Sequence, residues 1–279
     1  MKKNLISILS GGLISVVVFT LAYLILDQSH IDKFFPRNNT ETIIFFLVVI
    51  IAPLFAIFIH ELGHLLTGLA LGQKLKLFVV AFFGIRDDEG KIKVFFNKSL
   101  SYFGGVAATA PETEKDINPK SFSKILIAGP VFSFIYFIIS MVAFLKSDSY
   151  LNSFFALSSL TSFGLFLATT IPEKSGIMFT DRKRFQRLNT KGITQEVETT
   201  MYELISKSII DNSFKNIDVK KIEILEKDHD VTIQFWAAYL RFMFYKENGL
   251  SEQENNAMEQ LAAFKSEIPK SIWNSLNIE

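Results

Sequence analysis

Two histidines and a glutamate lie in the middle of an apolar segment, FAIFIHELGHLLTGLALG, at residues 55–72. Residues four apart share one face of a helix, so His60 and His64 could bind one metal ion. Glu61, next to the first histidine, could then reach a water on that ion without binding the ion itself. This is the HExxH pattern, two zinc ligands and a general base. Because zinc lowers the pKa of bound water to about 7, the pattern predicts hydrolysis by activated water.

The apolar setting argues against a purely structural role for these three side chains. A buried polar group without a partner costs several kcal/mol, and ionisable groups within membrane segments are usually functional. Two of the four histidines in the chain fall in this one motif. We therefore favour a site for one zinc ion over a cluster of polar residues that only satisfy one another.

A catalytic zinc ion usually has three protein ligands, and the chain has no cysteine, so the third must be His, Asp or Glu. His30 and His229 lie in segments that we place away from the motif. Asp181 follows the last long apolar segment, within TTIPEKSGIMFTDRKRFQRL, and Glu173 and Glu112 are further candidates. Asp181 could equally be an acidic residue at a helix N-terminus. Spacing alone does not separate these two roles.

Long apolar segments predict a membrane protein. Four of them approach or exceed the roughly 20 residues that a spanning helix needs; they cover residues 5–26, 43–71, 125–145 and 151–171. The first is longer than the apolar part of a signal peptide and lacks a cleavage site, so we expect it to remain as a helix. The second exceeds the bilayer, which predicts tilt, a kink near Pro53 or extension beyond the membrane.

Lysine and arginine are concentrated in two loops, which predicts the orientation. Residues 72–120 contain eight of them and residues 172–187 five, whereas residues 27–42 contain two. The positive-inside rule then places both termini in the cytoplasm and the HExxH motif near the cytoplasmic end of the second span. The many Lys, Ile, Asn and Phe residues are typical of a bacterium with an AT-rich genome. We expect a multi-pass protein of the bacterial cell membrane.

Two further regions differ from the spans. In residues 74–106, short apolar runs separated by RDDEG and NKS predict strands joined by tight turns, packed near the motif. Beyond residue 191, the composition is that of a soluble helical module, and SEQE at residues 251–254 fits a capping box that opens a helix. One predicted helix has an apolar face that consists of Trp236, Tyr239, Leu240, Met243 and Phe244.

These patterns predict a mainly α-helical membrane protein with about four transmembrane helices, a small membrane-associated β segment and a soluble carboxy-terminal helical domain. We divide the chain into a first transmembrane helix with an outer loop at 1–40, a metal-binding core at 41–190, and a cytoplasmic helical domain at 191–279. The net charge of +1 provides no strong field, so we expect no nucleic-acid partner.

Several motifs resemble the site-2 protease family of intramembrane zinc metalloproteases. FIHELGHLL resembles the zinc motif of that family, and FGG at 103–105 resembles its LGG, where the strand segment returns. AGPVFS at 128–133 resembles its Ala-Gly-Pro motif, with Ser133 where Asn is common. TTIPEKSGIMFTD resembles Asn-x-x-Pro followed by Asp-Gly, with Thr169 in the Asn position and Arg182 in the Gly position.

The resemblance covers residues 43–188 and implies a role for each residue of the candidate site. Asp181 would be the third zinc ligand beside His60 and His64, and Glu61 would be the general base. The substrate would be a membrane protein or membrane peptide, cleaved within or near its transmembrane segment. The departures from the family pattern remove no carboxylate or imidazole that this reaction needs.

A helical substrate must unwind before cleavage, and its exposed backbone groups then need new partners. An edge strand of the enzyme could supply them by β-augmentation, and KVFFNKSLSYFGG is our candidate. Phe95 and Phe96 would lie on that strand. Gly104 and Gly105 would allow close approach of the substrate backbone, although they could equally do no more than turn the chain.

Two alternatives stay open. A membrane-embedded protease of the prenyl-protein type would take a glutamate ligand from a later helix, and we see no second E-x-x-x-H/D element. A non-catalytic zinc-binding or scaffold protein would act through its helical tail, although the intact Glu61 argues against it. The tail could also bind a cytoplasmic partner of the enzyme. The sequence does not rank an anti-sigma factor, a signal-peptide remnant and a pheromone precursor as substrates.

Overall fold

The structure is a computed structural model of the 279-residue chain. It describes residue 20 and residues 28–88, 90–99, 102–147, 151–175, 178–268, 273–274 and 276. The predicted first span, 5–26, lies outside the described residues apart from residue 20. The account below concerns the described residues.

Among the described residues, four helices precede Asp181 and five begin at or after it. The first four are α1 Gln28–Phe34, α2 Asn39–Ala70, α3 Pro119–Lys146 and α4 Asn152–Thr170. The later ones are α5 Asp181–Asn189, α6 Ile193–Asp211, α7 Val219–Leu225, α8 Val231–Glu247 and α9 Ser251–Ala262. The strands are β1 Lys74–Val80, β2 Phe83–Asp88, β3 Lys91–Phe96, β4 Val106–Ala110, β5 Lys174–Ser175 and β6 Met178–Phe179.

Helices α2, α3 and α4 are long and apolar enough to cross a membrane, and they coincide with the second, third and fourth predicted spans. Helix α2 has 32 residues, so it is about 48 Å long and extends beyond a bilayer core of about 30 Å. Pro53 lies within α2 without ending it. On its outer face, Ile43, Phe46 and Ile50 are each more than 60% exposed, as expected for side chains that face lipid.

The ends and contacts of the long helices follow from a few polar and small residues. Asn38 caps α2, and Asn118 caps α3, in which Pro119 occupies the first turn. The three helices pack on one another through small buried residues, which allow the close approach usual between membrane helices. These residues include Ala52, Ala56, Ser140, Ala156 and Ser159.

The predicted strands form an antiparallel sheet with the order β3-β2-β1-β4. Strand β3 is one edge, and its Ile92, Val94 and Phe96 side chains are all exposed. Strand β4 is the other edge and packs against α2, where Thr109 meets Gly68 so closely that a side chain at Gly68 would collide with it. A separate two-stranded hairpin, β5-β6, connects α4 to α5.

The carboxy-terminal helices enclose two apolar clusters. Cluster 1 is centred on Val197, Met201, Leu204, Ile222, Leu225, Ile233 and Leu240, and it includes Phe179 of β6. Cluster 2 comprises Phe235, Ala238, Phe242, Ala257, Leu261, Ile268 and Trp273. The predicted face of α8 contacts both clusters. Phe244 packs on cluster 1, Tyr239 and Met243 pack on cluster 2, and Trp236 packs on both.

The predicted capping box at residues 251–254 is wrong, although the helix is present. Helix α9 begins at Ser251, so Leu250 occupies the N-cap position, and no side chain caps the helix. The carbonyl of Leu250 already accepts the Glu254 N–H at 2.8 Å. Ser251 is therefore one residue too late to serve as the cap.

Candidate metal centre

His60 and His64 lie on one face of α2 and are both buried. Their Nε2 atoms are 3.3 Å apart, as the spacing of one helical turn predicts. Each ring is held through its other nitrogen. The Nδ1 of His64 is 2.7 Å from the carbonyl of Ile125, and the Nδ1 of His60 is 2.9 Å from the hydroxyl of Ser133.

These contacts of the Nδ1 atoms leave the Nε2 atoms available for a metal. A carbonyl can only accept, so the Nδ1 of His64 carries the proton and its Nε2 presents a lone pair. A serine hydroxyl can accept from the Nδ1 of His60 in the same way. Both partners lie on α3, which therefore orients both imidazoles. Contacts of this kind commonly fix the tautomer of metal-binding histidines.

Two glycines make room where α2 meets α3. A side chain at Gly129 would collide with the imidazole of His64. A Cβ at Gly63 would lie 2.8 Å from the carbonyl of Ala128 and from the ring of Phe132. Gly129 belongs to the AGP sequence, so the need to accommodate His64 gives a physical reason for glycine there. The space at Gly63 is occupied by the neighbouring helix.

Asp181 is the first residue of α5, and its Oδ2 lies 3.4 Å from the Nε2 of His60 and 3.5 Å from the Nε2 of His64. Thr180 fixes the start of α5. Its N–H donates to the Glu173 carbonyl and its hydroxyl donates to the Ile171 carbonyl, both at 2.9 Å. Burial would raise the pKa of the Asp181 carboxyl. The proximity of the two imidazoles outweighs burial and holds the pKa well below its usual range, so the group is ionised, as a metal ligand must be.

The three groups fit a zinc ion by chemistry and by spacing. Imidazole and carboxylate are its usual ligands in a chain without cysteine. An ion held tetrahedrally at about 2.0–2.1 Å from each ligand atom separates those atoms by about 3.3 Å. The three observed separations are 3.3, 3.4 and 3.5 Å. Among the described residues, His60, His64 and Asp181 form the group that could hold a metal.

Glu61 lies beside these three residues and is also buried. Its carboxylate accepts a hydrogen bond from the backbone N–H of Ala107 in β4. Gly105, which leads into β4, has φ +98°, and a Cβ there would lie 2.7 Å from the Oε1 of Glu61. A left-handed backbone and close contact with a carboxylate both favour glycine at this position. Gly104, by contrast, has open space around it.

Other residues considered from the sequence lie away from this centre. Glu112 is exposed and is 3.4 Å from Lys74, and Glu173 is exposed on the β5-β6 segment. Phe95 and Phe96 lie on β3, three strands from β4, which corresponds to about 14 Å at the usual strand spacing. The Phe95 ring contacts Gly84 and Arg86, and Phe96 stacks on Phe82. The structure brings Gly105, but not these two rings, next to Glu61.

Sequence reasoning identified Ser133 only as a departure from a family motif. The structure places its hydroxyl on His60, a contact across 73 positions of the chain that the sequence alone could not show. The only signal was its position in AGPVFS. The partners of the helix that carries Asp181, described below, gave no signal at all.

The chain has three apolar helices, and one of them carries two histidines and a glutamate at HExxH spacing. An aspartate lies against both imidazoles. These features define a membrane protein with a site of the metallopeptidase kind. The model of peptidase family M50, the site-2 protease family, matches residues 45–250, and the chain belongs to this family. Its members are membrane-embedded zinc metalloproteases. The resemblance based on the motifs is thus confirmed. Comparisons with curated proteins and with solved structures gave no significant match.

Proposed function

We propose that the protein is an intramembrane zinc metalloendopeptidase that cleaves a membrane protein or membrane peptide within or near its transmembrane segment. The observation that carries the proposal is the equal spacing of three ligand atoms, 3.3–3.5 Å, with a buried carboxylate beside them. In this proposal His60, His64 and Asp181 hold one zinc ion, and Glu61 is the general base.

In the proposed reaction, Glu61 transfers the proton of a water that the bound metal activates. Bound zinc supplies Lewis acidity, which activates water and polarises the peptide carbonyl. Glu61 accepts a proton from the attacking water as its oxygen bonds the carbonyl carbon. Glu61 then gives the proton to the amide nitrogen as the C–N bond breaks, which leaves one carboxyl and one amino terminus. The Ala107 N–H orients the Glu61 carboxylate for both transfers.

We propose that the free edge of β3 binds an unwound part of the substrate. Asn97 donates its N–H to the Phe82 carbonyl at 2.7 Å, on the side of β2. Backbone N–H groups of successive residues in a strand point to opposite sides of it. The N–H groups of Ile92 and Val94 therefore point away from β2. A substrate segment paired there would need about four extended residues to cover the 14 Å to β4. Phe95 and Phe96 would therefore act at a distance from the scissile bond.

The proposed location is a bacterial cell membrane, with both termini and the sheet on the cytoplasmic side. The support is the distribution of basic residues described above together with the three apolar helices. The carboxy-terminal helices would then lie in the cytoplasm, where they could also bind a partner.

The first test compares cells that produce the wild-type protein with cells that produce Glu61→Gln. We expect the variant to lose cleavage by at least about a hundredfold and to keep its zinc, because Gln preserves the size of the side chain. Mass spectrometry of membrane peptides would identify substrates that accumulate in the variant. Glu112→Gln, at an exposed site, is the matched control. Cleavage by Glu61→Gln at the wild-type rate would exclude Glu61 as the base.

A further inference from the structure

Asp181 is flanked on both sides by residues that are anchored in the carboxy-terminal helices. Two positions before it, Phe179 is buried in cluster 1 with residues of α6, α7 and α8. After it, Arg184 and Arg187 of α5 both bind the carboxylate of Glu198 on α6. The candidate metal ligand therefore lies between two attachments to the same helical module.

The ion network beneath α5 is centred on two buried groups, Glu198 and Arg187, and includes the partly buried Arg184 and Asp228. Glu198 is fully buried, and its two oxygens accept from the Nε of Arg184 at 2.8 Å and the Nε of Arg187 at 2.9 Å. Arg187 also donates to Asp228, before α8, at 2.5 Å. Removal of one partner from such a buried network leaves uncompensated charge and is strongly destabilising.

The same two arginines connect α5 to its other neighbours. The guanidinium of Arg184 lies over the ring of Phe122 in α3, 4.8 Å from its centroid, and that of Arg187 lies 4.9 Å from the centroid of Phe179. At the far end of α5, the amide of Asn189 donates to Ser123 of α3 at 2.9 Å. Helix α5 is thus held between α3, which orients the two histidines, and α6.

The local chain supports Asp181 from one side, where Thr180 bonds the carbonyls of Ile171 and Glu173. The β5-β6 hairpin before it has two residue pairs, and Lys174 of that hairpin is tied to Asp230 of the carboxy-terminal module at 2.8 Å. A metal ligand must nevertheless be placed to within about 0.5 Å. The direction of α5, and with it the placement of Asp181, also depends on the elements against which α5 packs.

We propose that Glu198, through Arg184 and Arg187, is a positioning residue that holds Asp181 at the metal, so that the carboxy-terminal helices are a structural part of the metal centre. This inference rests on the proposed metal site. Coupling between two sites is reciprocal, so metal binding must in turn stabilise the carboxy-terminal helices.

The test measures zinc affinity of the full-length protein in detergent by competition with a chelator, together with the visible spectrum of the Co²⁺-loaded protein. Glu198→Gln should bind zinc about tenfold more weakly, the lower end of the loss usual for residues that support a metal ligand, with an altered Co²⁺ spectrum. Glu203→Gln is the matched control, since Glu203 is also on α6 and pairs with Lys221 at 2.7 Å, away from α5. The control should keep the wild-type affinity.

Tryptophan emission reports whether the variants fold, because both tryptophans of the chain, Trp236 and Trp273, lie in the carboxy-terminal module. If the emission shows that Glu198→Gln is unfolded, the experiment uses Arg184→Met instead. In that variant the contacts of Arg187 with Glu198 and Asp228 remain. An unchanged zinc affinity in either folded variant would overturn the inference.

A second measurement needs no variant of the network. Zinc should raise the unfolding temperature of the wild-type protein, followed by tryptophan emission. Asp181→Ala should abolish that shift. If the wild-type protein shows no shift, the inference is overturned. Zinc binding by Asp181→Ala as tight as that of the wild type would exclude Asp181 as a ligand, and with it the proposed metal site. Loss of zinc in Asp181→Ala but not in Glu198→Gln would overturn the positioning role alone.

Discussion

At the scale of residues, the metal centre is arranged by contacts that come from three different parts of the chain. The imidazoles of His60 and His64 come from α2, their Nδ1 partners from α3, and Asp181 from α5. The side chains of the HExxH motif are thus held by contacts with the rest of the protein. Such preorganisation favours tight binding because little ordering is left to the binding step.

Asp181→Ala tests the third ligand directly. We expect the zinc-to-protein ratio of the purified variant to fall well below that of the wild type, because two imidazoles alone do not complete a zinc site. Metal analysis of the purified protein measures this ratio. Glu173→Ala, at an exposed position nearby, should leave the ratio unchanged. The opposite pattern would assign the third ligand to Glu173.

Ser133→Ala tests the contact that orients His60. Loss of the hydroxyl removes the partner of a buried ring nitrogen, and we expect about tenfold weaker zinc binding. Competition with a chelator measures the affinity. Ser140→Ala is the control, because Ser140 is equally buried on the same helix but lies about two turns away from the contact. Equal affinities in the two variants would show that the Ser133 contact does not matter.

At the scale of elements, the sheet has one edge packed on α2 and one edge exposed. Strand β4 brings the Ala107 N–H to Glu61, whereas β3 presents unpaired N–H groups and exposed apolar side chains. Exposed edge strands readily pair with another chain, and proteins usually protect them. Under the proposed function, this edge would pair with an extended segment of the substrate.

Val94→Pro tests the proposed role of the β3 edge. Proline removes an outward N–H without removing a bond to β2, so the sheet should survive. We expect cleavage of a reporter substrate to fall several-fold, as for one lost hydrogen bond of about 1 kcal/mol, with unchanged zinc affinity. Val94→Thr keeps the N–H and should cleave normally. If Val94→Pro matches Val94→Thr, the substrate does not pair at this edge.

At the scale of the whole molecule, α6 joins the carboxy-terminal module to the membrane core through several contacts, and two of them lie close to α5 or to one another. Near its start, Glu198 binds α5, as described above. One turn later, the hydroxyl of Tyr202 accepts from the buried amide of Gln73 at 3.0 Å, and the Tyr202 ring stacks on Phe122 with 4.3 Å between centroids. The two contacts make separate predictions, because the hydrogen bond between Tyr202 and Gln73 does not involve the helix of Asp181.

Tyr202→Phe should weaken the attachment of the module without affecting the metal. The buried amide of Gln73 would lose its acceptor, which costs about 1–3 kcal/mol, so the midpoint of thermal unfolding followed by tryptophan emission should fall. Zinc affinity should stay at the wild-type value. A loss of affinity as large as that expected for Glu198→Gln would mean that the whole interface, rather than α5, governs the metal site.

Local spacing in the sequence predicts three of the spans, the sheet and the juxtaposition of the two histidines, all of which the structure contains. Apolar runs long enough for a bilayer predict α2, α3 and α4, and one helical turn brings His60 and His64 together wherever the helix lies. Asp181 was one of three open candidates on spacing alone, and the family motif favoured it without giving its position.

The groups that surround those residues are evident from the folded structure alone. Ser133, Ala107 and Glu198 reach the centre or its supporting helix from distant parts of the chain, and no periodicity records such contacts. The capping box failed for a related reason, since the path of the chain before α9 sets where that helix begins. Local spacing fixes which side chains share a face, whereas packing between elements fixes what that face meets.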